Sequence, residues 1–125
     1  MSSKLDDATV QMLQRHWEDG WNRGDVDMIV RPFATEVVFS SPGIAMLTGD
    51  PAKKAIEGKD AVRAYVEDAL RHTSQVRYSL QATYVGTDSI VIVYTCGLPD
   101  GDQKVGSDSM RVDDDRKIVE WRCHY

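Results

Sequence analysis

Four alternating runs crowded into the last fifty residues constrain this chain more than any other feature. "QVRYSLQATYV", "SIVIVYTC", "KVGSDSMRV" and "KIVEWRCHY" carry the two-residue period of strands and are separated only by "GTD", "PDG" and "DDDR". Connections that short join antiparallel neighbours, so the segment predicts an antiparallel meander. The residues ahead of it have a different period. Val10, Leu13, Trp17 and Trp21 recur at spacings of 3 and 4, predicting a helix over 6–23 that Asp6 or Asp7 caps and Gly24 stops. "GDVDMIVRPF" predicts a short second helix capped by Asp25 that buries Ile29 and Phe33, and "EVVFSS" a short strand. A third helix is expected over 59–72, with Val62, Tyr65, Val66, Ala69 and Leu70 on one stripe. The Gly- and Pro-rich stretch 42–58 between strand and helix is expected to be a loop that covers a site as a lid. No repeat or linker interrupts the chain, so 1–125 is expected to be one α+β domain with its helices on one sheet face.

The turns set which strand residues share a face. With Asp100-Gly101 as a two-residue turn, Thr95 lies opposite Gly106, Val93 opposite Asp108 and Val91 opposite Met110. With Gly86-Thr87 as the earlier turn, Ala82 faces Val91 and Leu80 faces Val93. A four-residue turn over 113–116 sets Trp121 opposite Asp108. One face then carries Val76, Tyr78, Leu80, Ala82, Val91, Val93, Thr95, Asp108, Met110, Trp121, Cys123 and Tyr125, and this is the expected core side. Arg111 and Arg122 point the other way, and no lysine or arginine is expected inside. The opposite face carries Ile90, Ile92, Tyr94 and Cys96, an apolar row that predicts a homodimer interface. On the inner face, Asp108 is the residue that needs a reason. Among apolar neighbours its charged form is disfavoured, which lifts its pKa toward the range useful for proton transfer. The alternative is a structural aspartate held by hydrogen bonds.

Composition narrows the partners. Net charge is −5, and the 15 basic residues are scattered, which argues against nucleic acid. The longest apolar run, "IVIVY", is too short for a membrane span. "MSSKLDDATVQ" lacks the apolar core of a secretory signal, and Cys96 and Cys123 read as buried thiols, so a cytoplasmic location is expected. His16, His72 and His124 are scattered, with no Cys/His cluster at ligand spacing, so neither metal nor cofactor is expected.

"WNRGDVD" at the end of the first helix, then "EVVFSSPG", "EGKDAVRAYV" and the closing "KIVEWRCHY", together resemble the nuclear transport factor two-like superfamily over nearly the whole chain. The nearest subset is the SnoaL-like polyketide cyclases and ketosteroid isomerases. The resemblance implies a cone: three N-terminal helices packed in a strongly curved, mainly antiparallel sheet that encloses a pocket. Asp108 falls where the isomerases keep a protonated aspartic acid, but their base position is Ser41 here and their helix tyrosine is Trp17. Ketosteroid isomerase chemistry by that mechanism is therefore not expected, and Asp108 better resembles the general acid/base of the cyclases. The expected pocket lining is Trp17, Trp21, Phe33, Phe39, Ser41, Tyr65, Val76, Val93, Met110, Trp121, Cys123 and Tyr125. The expected ligand is a small, largely apolar or aromatic molecule. It would undergo cofactor-independent cyclisation, isomerisation, dehydration or hydrolysis, or simply be bound by a non-catalytic module.

Overall fold

The computed structural model describes residues 4–124. Helix α1 spans Asp7–Arg23: the Asp6 side chain accepts from Thr9 N at its start, and Gly24, at φ 65°, closes it. Helix α2, Val26–Val30, is capped by the Asp25 carboxylate and packs tightly on α1. A Cβ at Gly20 would lie 2.6 Å from Ile29 Cγ1, so only glycine allows that approach. Strand β1 runs Phe33–Ser40, so Phe33 opens a strand instead of closing α2.

The 42–58 segment is more structured than a loop. Its first half is helix α3, Pro42–Thr48, capped by Ser41 Oγ and stopped by Gly49 at φ 73°. Its end is the short strand β2, Ala55–Glu57. Helix α4 follows, Lys59–His72, burying Val62, Val66 and Ala69. The meander is β3 (Arg77–Val85), β4 (Ser89–Gly97), β5 (Gln103–Val112) and β6 (Ile118–His124). These form one curved, unclosed sheet in the order β2-β1-β6-β5-β4-β3, antiparallel except where β6 runs parallel to β1.

The register overturns the expected orientation of β4. Ile92 pairs with Asp108, Ile90 with Met110 and Tyr94 with Gly106. Ile90 and Ile92 are fully buried and Tyr94 nearly so, inside the monomer's own core. The homodimer face built on Ile90, Ile92 and Tyr94 is therefore ruled out, and Val91 and Val93 take the outer positions. The cause is one residue of turn. Gly101 N donates to the Leu98 carbonyl and Leu98 N to the Asp102 carbonyl, with Gly101 at φ 89°. This is a three-residue connection with a left-handed glycine, and its odd length flips every β4 side chain. In β3 a bulge between Leu80 and Ala82 turns Tyr78 and Leu80 inward and Ala82 outward.

Strand β3 is the sheet edge, and α1 covers its free backbone. Asn22 Nδ2 donates to the Tyr78 carbonyl and Asn22 Oδ1 accepts from Tyr78 N, both at 2.8 Å, while Glu18 Oε2 accepts from Leu80 N at 2.7 Å. These bonds fix the helix to the edge of the curved sheet and occupy groups that would otherwise recruit another strand.

His16 lies behind the site. Its Nδ1 donates to the Ile29 carbonyl at 2.9 Å, and its Nε2 has no partner among the described residues. Burial lowers its pKa to about 4 from an ordinary 6.5. The unfolded chain takes up this proton first, so the stability is fully present above pH 6.5 and is lost as pH falls toward 4, by about 3 kcal/mol. His16→Gln should lose that share of the acid sensitivity, measured by urea unfolding of both proteins at pH 7 and pH 4.5.

Candidate functional site

The centre of β5 carries Asp108 on the concave face, 1% exposed. Four donors surround its carboxyl group. Trp17 Nε1, from α1, and Trp121 Nε1, from β6, both donate to Oδ2, at 2.9 and 2.8 Å. The Tyr94 hydroxyl donates to Oδ1 at 2.8 Å, and the Cys123 thiol donates to the same carboxyl group. Burial pushes the Asp108 pKa above the usual carboxylate range, against the opposing pull of these four bonds. An indole N–H can only donate, so the two tryptophans use both lone pairs of Oδ2. A proton on this carboxyl group therefore sits on Oδ1, beside the Tyr94 hydroxyl.

Gly106 makes room for that contact. A Cβ there would lie 2.8–2.9 Å from Cε2, Cζ and the hydroxyl oxygen of Tyr94. The ring lies over the glycine and packs against Trp17 at 4.3 Å between centroids, tilted by 40°. Burial, and next the neighbouring Asp108 charge, raise the Tyr94 pKa, so it stays a phenol. The Cys123 thiol is raised well above its ordinary value for the same two reasons, which leaves it a poor nucleophile. Ser41 Oγ accepts from Gly43 N at 3.1 Å, and the Ser41 hydroxyl donates to the Cys123 sulfur. Ser41, Cys123, Asp108 and Tyr94 thus form one hydrogen-bonded line.

Above this floor is a cavity of about 760 Å³. Trp17, Trp21, Phe39, Ser41, Tyr65, Val76, Asp108, Trp121 and Cys123 all line it. Phe39 packs at a tilt against Trp121, with centroids 4.1 Å apart, and against Tyr65 at 5.0 Å, giving one wall a continuous aromatic surface. The Trp21 indole Nε1, on the same wall, has no hydrogen-bond partner among the described residues. Three expected lining residues lie elsewhere. Phe33 and Met110 are buried behind the aromatic layer, and Val93 sits on the outer face because β4 is flipped. Tyr125 lies outside the described residues.

The sequence reading missed Tyr94, Tyr78, Lys104 and Gly106, all on the cavity wall. The "PDG" turn held the signal for Tyr94, since Pro-Asp-Gly suits a type I turn with a left-handed glycine. Lys104 pairs with Cys96 on the concave side, so the inner face does hold a lysine, contrary to expectation. The mouth lies beside it, where Met46 is 82% and Val105 69% exposed. Among the described residues, no group of three His, Cys, Asp or Glu side chains is placed to hold a metal ion. No helix there is long and apolar enough to cross a membrane.

An unclosed sheet curved around helices, with a cavity at its centre, defines the cone of the nuclear transport factor two-like proteins. The SnoaL-like domain profile matches residues 13–121, and the chain belongs to that family. A SnoaL-like protein of unknown function from Burkholderia thailandensis is 30% identical, with 97% of this chain and 98% of that one covered at a TM-score of 0.81. Two more distant structures share the fold. SalBIII, described as an epoxide hydrolase/cyclase-like enzyme in pyran ring formation in the polyether salinomycin, is 18% identical over 97% of this chain and 92% of its own, at a TM-score of 0.72. A steroid delta-isomerase from Pseudomonas aeruginosa is 21% identical over 98% and 82%, at 0.70. No curated protein sequence matches the chain.

Proposed function

We propose that the chain binds a small, largely apolar or aromatic molecule in the cavity and performs cofactor-independent acid/base chemistry on it, of the cyclase, isomerase, dehydratase or hydrolase type. The observation that carries this reading is a buried carboxyl group beneath an aromatic cavity, held toward its neutral form by burial. Relatives named as a cyclase-like enzyme and an isomerase support the reaction class.

Asp108 acts through Tyr94 in this proposal. With Oδ1 protonated, the carboxyl group donates to the phenol oxygen, and the phenol hydrogen is released toward the cavity. There it meets an oxygen of the ligand as charge develops on it. As the ligand oxygen takes the phenol hydrogen, the Oδ1 proton passes to the phenol oxygen, and the reverse transfer, when the product oxygen gives its proton back, restores the pair. Tyr94→Phe should keep the fold and lower turnover about 10²-fold or more on an aromatic polyketide-like or epoxide substrate. Unchanged turnover in the phenylalanine variant would remove the relay.

A second reading has its own observation. Four protein donors already bond the Asp108 carboxyl group, the arrangement of an internal polar anchor. In that case the cavity is a receptor without chemistry. The wild type would then bind an uncharged aromatic probe and turn over none of a substrate panel.

A further inference from the structure

We infer that the ligand is an acid: an apolar or aromatic body whose anionic group is held by Lys104 at the cavity mouth. The inference rests on the reading of the cavity as a ligand site. Lys104 stands on the concave side of β5, two residues before Gly106 and four before Asp108. Its side chain lines the cavity and makes no ion pair with any described residue.

Lys104 is exposed, and it is the one lysine or arginine on the cavity wall among the described residues. Around it that wall offers Leu98, Val105 and Cys96, and the one carboxyl group there among the described residues is Asp108 at the far end. Asp108 is enclosed by its own donors and biased toward the neutral acid, so it neither reaches nor neutralises the lysine. Its ammonium is close enough for its charge to act on the Cys96 thiol on the neighbouring strand. A cation on a mostly apolar wall, with no counterion among the described residues, is complemented by an anion on the ligand.

The geometry also sets a length. A Cβ at Gly106 would lie 2.9 Å from the Tyr94 hydroxyl, and Gly106 is two residues of strand from Lys104, roughly 7 Å along β5. A ligand that places its acid at Lys104 and its reacting oxygen at Tyr94 needs a body of about one to two rings between them. A carboxylate or an acidic enol at one end of a compact aromatic compound meets both conditions.

Two fluorescent probes that share a scaffold test this: anilinonaphthalene sulfonate and its uncharged parent, phenylnaphthylamine. Each is titrated into the folded protein and into Lys104→Gln, Lys104→Glu and Lys104→Arg. The expected result is a loss of sulfonate affinity of about two- to fivefold in the glutamine variant and about tenfold in the glutamate variant, with arginine close to wild type. Affinity for the uncharged parent should change less than twofold throughout, and added salt should weaken only the sulfonate. Equal effects on both probes, or no effect on the sulfonate, would overturn the acidic-ligand assignment and leave the cavity reading intact. If neither probe binds the wild type, the cavity is not a receptor and the inference fails with it.

Discussion

Asp108→Asn is expected to abolish most turnover, by about 10²- to 10⁴-fold, while the protein stays folded and keeps its ligand affinity. An amide reproduces the hydrogen bonds of the protonated acid to the two indoles and the phenol, and only the Cys123 thiol loses its acceptor. Its oxygen can accept from the Trp17 and Trp121 indoles in place of Oδ2, and its NH2 can donate to the Tyr94 oxygen in place of the Oδ1 proton. What it cannot do is give the proton up. The pH dependence separates the two proteins further. Burial raises the native pKa of Asp108, so the native state holds this proton more tightly than the unfolded chain. The stability it contributes is complete below the unfolded carboxyl pKa and is lost as pH rises through the native value. The asparagine variant lacks that loss and should melt at or above the wild-type temperature at pH 8. Asp108→Leu behaves differently, because it leaves two indole N–H groups and a phenol buried without an acceptor. At about 1–3 kcal/mol for each unsatisfied group, it should be strongly destabilised. Thermal melts of the three proteins at pH 5 and pH 8, beside a turnover assay, check these outcomes. An asparagine variant with full turnover would dismiss Asp108 from the chemistry.

Ile92→Asp should cost about 4 kcal/mol or more and yield little folded protein, whereas Val93→Asp, one residue along, should cost about 1 kcal/mol. Ile92 is fully buried and stands directly across from Asp108, so the new carboxylate would be both desolvated and beside a like group. Val93 is half-buried on the convex side, paired with Ser107, where a charge reaches water. Urea midpoints of the two variants test the register itself. A well-folded Ile92→Asp protein with a damaged Val93→Asp would mean that β4 faces the other way.

The helices were readable because their signals are local. Asp6, Asp25, Gly24 and the stripe through Leu13 and Trp17 act within a turn or two of the chain and need no knowledge of the sheet. Helix α3 carried equally local signals in Ser41, Pro42 and Gly49, but the density of glycine and proline over 42–58 read as a loop. Strands were found for the same reason that their pairing was not. Alternation is a property of one strand, while register depends on the connection. The hydrophobic content of "SIVIVY" could not correct an error there, because both of its faces are apolar. Asp108 and the three tryptophans were placed inward correctly. For β6 the assumed pairing was off by two residues, which preserves the face. In β4 it was off by one, and Tyr94 was lost with it.

The position of β6 in the sheet order has a consequence for how the chain is made. The last strand lies between β1 and β5, so it joins the two parts of the sheet. Before it is in place, the β2-β1 pair and the β3-β4-β5 meander have no common hydrogen bonds, and each presents an open edge where β6 will lie. The carboxyl group of Asp108 meanwhile lacks Trp121 and Cys123, two of its four donors. Folding of the sheet is thus deferred until Ile118–His124 has been synthesised, and contacts between distant parts of the sequence must then form together. A nascent chain halted before Ile118 would hold the material for both halves of the sheet and nothing to close it, with two edges free to pair with other chains.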